Sequence, residues 1–187
     1  MTLVKICGLT RAEDVDAAVA AGADLVGFVL VADTPRSIHP DRARELAARV
    51  PPTVRTVAVV GQTGDSPRLV RGFDLVQTYD TPAHFRDTIV ASRGEPRADV
   101  PDSVPVLLDL PYGSRPDRDQ LRAHWQRAAE VRQPVILAGS LDPENVAEAI
   151  AAAHPWAVDT ARGVESAPGV KDHERVREFV RAAKEAP

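Results

Sequence analysis

The sequence predicts an α/β fold in which eight parallel strands close into a (β/α)8 or TIM barrel. Eight apolar runs recur along the chain, and helical patterns lie between several of them. Most runs are continuous rather than alternating, which is typical of strands buried on both faces, as in parallel sheets. The runs are Leu3–Cys7, Leu25–Val31, Val54–Val60, Phe73–Gln77, Thr88–Ala91, Val104–Leu108, Pro134–Ala138 and Trp156–Val158.

Four helical patterns connect these runs. The segment Thr10–Glu13 is typical of a capping box, and Pro40 suits the first position of a second helix. Two further helices are predicted to begin at Asp142–Glu144 and after Asp172. Their apolar faces are Val15, Ala18 and Val19; Ala43, Leu46, Ala47 and Val50; Val146, Ala149 and Ile150; and Val176, Phe179 and Val180.

The length predicts a single domain, residues 1–187, but it is short for an eight-fold barrel. Such barrels typically need about 250 residues and rarely fewer than about 200. Thr81–Asp87 has room for only one or two helical turns, and residues 92–102 are too rich in proline for a regular helix. We therefore expect a barrel shortened around helices 4 and 5, with the fourth helix stunted and the fifth reduced to a loop.

Composition excludes several functions. The net charge is −4 and the charges are interspersed, so no basic stripe indicates a nucleic-acid partner. No apolar run approaches the ~18 residues of a membrane span, and the N-terminus lacks a signal-peptide pattern. A single cysteine fits the reducing cytoplasm. No metal is expected, because the five histidines lack metal-ligand spacing: His39, His84, His124, His154 and His173.

In such barrels functional groups collect at the carboxyl ends of the strands. Glycine-containing loops follow strands seven and eight, where Gly139, Ser140, Arg162 and Gly163 could bind a phosphate through backbone N–H groups and a guanidinium. The alternative is that both loops are ordinary turns. The other polar residues at predicted strand ends are Lys5, Cys7, Arg36, Gln77, Asp109 and Asp159.

Three of these residues have both a structural and a chemical interpretation. Cys7 is either a small buried hydrophobe or a reactive thiol, which the neighbouring Lys5 would favour as thiolate unless Lys5 pairs with a carboxylate inside the barrel. Asp109 is either a turn residue or a general acid whose pKa its site raises. Arg36 is either a solvated loop residue or a bidentate partner for a substrate carboxylate.

The run Lys5–Thr10 resembles the N-terminal signature of phosphoribosylanthranilate isomerases. The similarity continues in order over almost the full length of the chain. Its further motifs are Ala21–Phe28, Thr34–Ile38, Val106–Asp109, Leu137–Val146, Ala157–Glu165 and Pro168–Asp172.

The resemblance implies an Amadori rearrangement in tryptophan biosynthesis, on a small phosphorylated sugar and without a metal or organic cofactor. It makes Asp109 the acid that opens the ribose ring and Cys7 the base that removes the C2 proton. Arg36 would bind the anthranilate carboxylate, and the two glycine loops would bind the phosphate. Lys5, Gln77 and Asp159 are expected to contact the substrate, and the protein is expected to be a monomer or a homodimer.

Several loops depart from the family pattern. Gln77–Asp80 stands in place of Gln-Leu-His-Gly, and Leu110–Pro116 in place of a Gly-Gly-Thr-Gly-type loop. Gly139-Ser140 replaces a glycine pair, and Ala161–Gly163 replaces Ser-Ser-Gly. Two alternatives therefore stay open: a divergent paralogue that acts on another aminoaldose phosphate, and a non-catalytic barrel that binds phosphorylated sugars.

Overall fold

The computed structural model describes residues 1–61, 68–79, 87–97, 99–111 and 113–187. Eight parallel strands form a closed barrel in chain order, with β8 paired to β1, so the predicted (β/α)8 class is confirmed. The strands are β1 (Leu3–Ile6), β2 (Leu25–Val29), β3 (Arg55–Val59), β4 (Leu75–Thr78), β5 (Thr88–Arg93), β6 (Val106–Asp109), β7 (Val135–Leu137) and β8 (Ala157–Thr160). Each strand falls within or overlaps its predicted run.

Five α-helices cover the barrel in the described part of the chain: α1 (Ala12–Ala21), α2 (Pro40–Ala47), α3 (Arg118–Ala129), α4 (Val146–Ala153) and α5 (His173–Glu185). Between β5 and β6 the described residues form turns and bends, so the prediction that the fifth helix is reduced to a loop is confirmed. The predicted fourth helix, Thr81–Asp87, lies outside the described residues except for Asp87. Helix α3 was not predicted, although Asp117 and Gln120 form a capping box at its start.

The helix starts show where local pattern and tertiary packing disagree. The predicted capping box at Thr10 is wrong, because the Thr10 hydroxyl donates to the carbonyl of Gly169 at 2.8 Å and Arg11 precedes the helix without a side-chain cap. Pro40 does occupy the first turn of α2. The Asp172 carboxylate caps α5 by accepting two backbone N–H groups, as its position predicts.

A short hairpin follows β8. A 3-10 helix (Arg162–Val164) leads into β9 (Glu165–Ala167), which pairs antiparallel with β10 (Val170–Lys171). Since the barrel interior is filled by side chains such as Leu25, Ile89 and Leu107, space for a ligand remains only at its ends. No helix in the described ranges is long and apolar enough to cross a membrane.

Candidate active site

A cavity of about 350 Å³ opens at the carboxyl ends of the strands. A smaller pocket of about 90 Å³ shares part of its lining. The larger cavity contains Cys7, Arg36, Gln77, Asp109, Asp159 and Arg162, and the smaller one adds Gly139, Ser140 and Gly163. The structure thus brings together every candidate residue from the sequence except Lys5, which lies beneath the cavity floor and is fully buried.

Cys7 directly follows β1, and its thiol points into the barrel mouth with only 7% of the residue exposed. Gly27 on β2 makes room for it, because a Cβ at position 27 would lie 2.7 Å from the Cys7 Sγ. Burial raises the pKa of the Cys7 thiol, and the nearby Lys5 charge only partly offsets this. The thiol is therefore the main resting form, and the thiolate depends on Lys5.

Lys5 pairs with Asp159 of β8, with 2.9 Å between Nζ and Oδ1. Burial alone would lower the pKa of Lys5, but the charge of Asp159 and the proximity of Cys7 outweigh it, so the pKa is raised. The Lys5 ammonium thus pairs with a carboxylate inside the barrel, and its charge also lowers the pKa of the Cys7 thiol. The raised pKa of Lys5 favours its charged form next to Cys7.

Asp109 ends β6 and faces both pockets. Burial and then the negative charge of Asp159 raise the pKa of this carboxyl, while Arg93 and Arg162 oppose the shift. Its Oδ1 accepts the Leu110 N–H at 2.8 Å, which fixes its direction. A carboxyl that holds its proton more tightly than an ordinary aspartate is suited to act as a general acid.

The two glycine loops form the smaller pocket. Gly139 and Ser140 have φ of 92° and 55°, and a Cβ at position 139 would lie 2.7 Å from Leu110. A Cβ at Gly163 would lie 2.0 Å from the carbonyl oxygen of Leu141. Glycine is thus required at positions 139 and 163 by close packing, and the loops are more constrained than ordinary turns. The pocket is about 90 Å³ in volume, and the guanidinium of Arg162 in its lining can donate to an anion.

Arg36 is not a solvated loop residue, since its side chain is only 18% exposed. Its Nε and Nη2 donate to the two carboxylate oxygens of Glu165 at 2.8 and 2.5 Å. The Arg36 stem packs against Gly8, where a Cβ would lie 2.7 Å from its Cδ. The guanidinium therefore stands in one fixed position in the cavity wall.

Sequence reasoning missed four residues of this region. Glu165 and Lys171 pair beside Arg36, with 3.0 Å between Nζ and Oε1. Arg93 and Tyr79 line the cavity, and the guanidinium carbon lies 4.1 Å from the centre of the tyrosine ring. Glu165 and Lys171 stood inside quoted motifs, but their contacts depend on a hairpin that the strand pattern did not reveal.

Gln77 lies in β4 with its side chain turned into the cavity, and it is 3% exposed. Its buried Oε1 has no hydrogen-bond partner among the described residues. A buried acceptor of this kind is normally satisfied by a donor, so a substrate hydroxyl is a suitable partner. The described residues contain no group of three or more His, Cys, Asp or Glu side chains that could hold a metal ion.

A cavity lined by Cys7 and Asp109, with Arg36 and Arg162 also in its wall, suits the movement of protons within an anionic substrate. The fold and the site together define a (β/α)8-barrel protein whose cavity is suited to acid–base chemistry on a small anionic molecule.

Comparison with known proteins narrows this class. The family model described as N-(5'phosphoribosyl)anthranilate (PRA) isomerase matches residues 97–182. The N-(5'-phosphoribosyl)anthranilate isomerase of Geobacter metallireducens is 41% identical over 98% of this chain and 100% of its own length. The chain belongs to the N-(5'-phosphoribosyl)anthranilate isomerase family.

Solved structures agree with this assignment. The phosphoribosyl anthranilate isomerase of Thermotoga maritima superimposes with a TM-score of 0.85 at 29% identity, over 98% of this chain and 99% of that one. A related structure, with a TM-score of 0.78, 29% identity and the same coverage, holds reduced 1-(o-carboxyphenylamino)-1-deoxyribulose 5-phosphate. Another form from Thermotoga maritima consists of monomers derived from a dimeric enzyme.

Proposed function

We propose that Asp109 and Cys7 are the acid and the base with which this chain converts N-(5'-phosphoribosyl)anthranilate into 1-(2-carboxyphenylamino)-1-deoxyribulose 5-phosphate. This is the Amadori rearrangement of tryptophan biosynthesis. The observation that carries the proposal is that both side chains line the same cavity, next to a pocket built for an anion.

The first step opens the ribose ring. Asp109 donates its proton to the ring oxygen, the bond between C1 and that oxygen breaks, and the nitrogen lone pair forms a C=N bond to C1. The product is a protonated Schiff base and an Asp109 carboxylate. The raised pKa of Asp109 keeps the proton available for this step.

The second step moves a proton from C2. The Cys7 thiolate removes it, the released electron pair forms a C1=C2 bond, and the iminium nitrogen is neutralised to give an enolamine. This enolamine becomes the ketose when C1 gains a proton and the C2 hydroxyl loses one. Burial disfavours the thiolate, so the Lys5 ammonium is the group that makes it accessible.

The anions of the substrate are assigned to the two ends of the cavity. The phosphate lies in the pocket formed by Gly139, Ser140, Arg162 and Gly163. Arg36 binds the anthranilate carboxylate, and the Oε1 of Gln77 accepts a hydrogen bond that a sugar hydroxyl donates. Asp159 fixes Lys5 at the cavity floor. These steps require no metal or organic cofactor.

The remaining expectations concern the binding partners, the cellular location and the oligomeric state of the protein. The substrate is a small phosphorylated sugar, and neither a nucleic acid nor a membrane has a part in the reaction. The single cysteine, which the reaction uses as a free thiol, favours the cytoplasm. The working form is a monomer or a homodimer.

Steady-state turnover of N-(5'-phosphoribosyl)anthranilate tests the assignment. Each of Cys7→Ala and Asp109→Asn is expected to lower kcat by roughly a thousandfold, since positioned acid–base groups contribute about 10²- to 10⁴-fold. Asp16→Asn is a matched control, because Asp16 pairs with Arg49 on the exposed surface of α1. Wild-type turnover in both site variants would remove the proposed mechanism, and the wild-type gene should restore growth of a tryptophan auxotroph that lacks this isomerase.

A further inference from the structure

The hairpin of β9 and β10 folds back over the loop that carries Arg36. At its turn, Gly169 approaches the chain so closely that a Cβ there would lie 2.4 Å from the carbonyl oxygen of Pro35. The Thr10 hydroxyl holds the same turn by donating to the Gly169 carbonyl. The hairpin is therefore fixed against two loops of the barrel mouth, those that follow β1 and β2.

This docking places the Glu165 carboxylate between two cations. It accepts two hydrogen bonds from Arg36, at 2.8 and 2.5 Å, and one from the Lys171 Nζ at 3.0 Å. The side chains of Glu165 and Lys171 are 6% and 0% exposed. A charge-assisted, bidentate pair with this little solvent around it has a defined geometry, unlike an ion pair on the surface.

We propose that Glu165 is a positioning residue that presents Arg36 to the carboxylate of the substrate. The proposal rests on the proposed function. A guanidinium has five N–H donors in a rigid plane. Glu165 occupies the edge formed by Nε and Nη2, so the edge formed by Nη1 and Nη2 is the one directed to a ligand in the cavity.

Charge gives a second reason for this assignment. Arg36, Lys171 and Glu165 together carry one net positive charge in a nearly buried cluster. A substrate carboxylate on the free edge of Arg36 would neutralise the cluster, and a ligand without a carboxylate would not. The cluster is therefore matched in charge to a substrate with an acidic group at this end, and the part of Glu165 is to direct Arg36 rather than to add to the attraction.

Lys171 connects the carboxylate end of the site to the phosphate end. Its Nζ also donates to the carbonyl of Ala161 at 2.9 Å, and Ala161 directly precedes Arg162. The hydrogen-bonded chain from Arg36 through Glu165 and Lys171 thus ends beside the anion pocket.

Equilibrium binding tests the role without requiring turnover. Calorimetry would compare reduced 1-(o-carboxyphenylamino)-1-deoxyribulose 5-phosphate with the same compound lacking the carboxyl group. Glu165→Gln is expected to raise the Kd of the carboxylated ligand roughly tenfold, the loss typical of a misplaced charged hydrogen bond. The Kd of the decarboxylated ligand should stay within about twofold.

Two controls separate positioning from a general structural effect. Glu148 likewise accepts from two cations, Arg118 and Arg122, but on the exposed surface of α3 and α4, so Glu148→Gln should change neither Kd. In an Arg36→Ala background, Glu165→Gln should cause no further loss, because the residue acts through Arg36. If Glu165→Gln does not fold, Glu165→Asp keeps the charge and should show a smaller loss with the same selectivity.

Equal weakening of both ligands by the Glu165 variants, or a loss that persists without Arg36, would overturn the positioning role alone. Wild-type protein that binds neither ligand would overturn the proposed function, and this role with it. The two failures are therefore distinguishable in one set of titrations.

Discussion

The two ends of the barrel differ in a way that cavity size does not reveal. The cavity at the amino ends of the strands is about 540 Å³, whereas the one at the carboxyl ends is about 350 Å³. The cavity at the amino ends is lined by Asp24, Arg55 and Trp156, among others. Asp24 there has a structural task, since it accepts the Val4 N–H at 2.7 Å and the Lys184 Nζ at 2.5 Å. Cys7 and Asp109, the proposed base and acid, line the cavity of about 350 Å³ at the carboxyl ends.

Two aspartates make the same contrast in chemical terms. Asp74, which precedes β4 at the amino end, has a lowered pKa, because hydrogen bonds from Thr56 outweigh the effect of burial. Asp109 at the carboxyl end has a raised pKa through burial and the charge of Asp159. The first carboxylate is stabilised as an anion and holds strands together, whereas the second retains its proton to higher pH and so has one to donate. The charges and hydrogen bonds around a carboxyl, which set its pKa, are thus a better guide to a functional site than the volume of the adjacent cavity.

After removal of the acid or the base themselves, the largest effect is expected from a methyl group placed next to the Cys7 thiol. Gly27→Ala puts a Cβ 2.7 Å from Cys7 Sγ, so the sulfur must move. We expect kcat to fall roughly a hundredfold, the loss that a displacement of about 1 Å can cause in a catalytic group. Steady-state kinetics would measure it, with Gly61→Ala as the control, because a Cβ there meets nothing closer than 3.9 Å. Unchanged kcat in Gly27→Ala would mean that the position of the sulfur is unimportant.

The next largest effect is expected on KM, when one arginine at the carboxyl end of the barrel is compared with one at the amino end. Arg162→Ala removes a cation from the anion pocket and should raise KM for the phosphorylated substrate roughly thirtyfold, about 2 kcal/mol, with a smaller change in kcat. Arg55→Ala, at the opposite cavity, should leave KM unchanged. An equal rise in KM for both variants would show that the effect is one of net charge rather than of a phosphate site.

The pH profile of kcat/KM should be bell-shaped, because the reaction needs a protonated Asp109 and a deprotonated Cys7. Below the pKa of Asp109 both groups hold protons and the base is missing. Above the raised pKa of Cys7, Asp109 and Cys7 have both lost their protons, so the acid is missing. Arg93 lowers the pKa of Asp109, so Arg93→Met should move the acidic limb to higher pH. If the acidic limb stays in place or moves to lower pH in Arg93→Met, that limb reports the titration of a group other than Asp109.

The smallest effect is expected at the amino end. Trp156→Ala removes a side chain that lines the larger cavity and is 40% exposed. Trp156→Ala should leave kcat and KM unchanged and lower the free energy of unfolding by about 1 kcal/mol, as measured in urea. A loss of activity without a loss of stability would contradict the contrast between the two ends, because it would mean that the cavity at the amino ends takes part in catalysis.

Sequence patterns predicted the parts of the molecule that depend on local composition. The eight strands follow from runs such as Leu25–Val31, and the ends of the strands located Cys7 and Asp109. The box at Thr10 failed because its hydroxyl has a partner 159 residues away, at Gly169. Glu165 could not be assigned for a similar reason, since its partner Arg36 lies 129 residues earlier in the chain. Contacts of this range depend on how loops dock, which a periodicity of two or of 3.6 residues does not encode.

Closure of the barrel between β1 and β8 has a consequence for folding during synthesis. Lys5 must meet Asp159, 154 residues later, an interval that a ribosome needs about 8 to 30 s to cover. Through that time the first strand has an unpaired edge, and its lysine lacks the carboxylate that neutralises it. The newly made chain is thus exposed to aggregation until β8 is available for pairing, so the availability of chaperones in this interval should affect the yield of active protein.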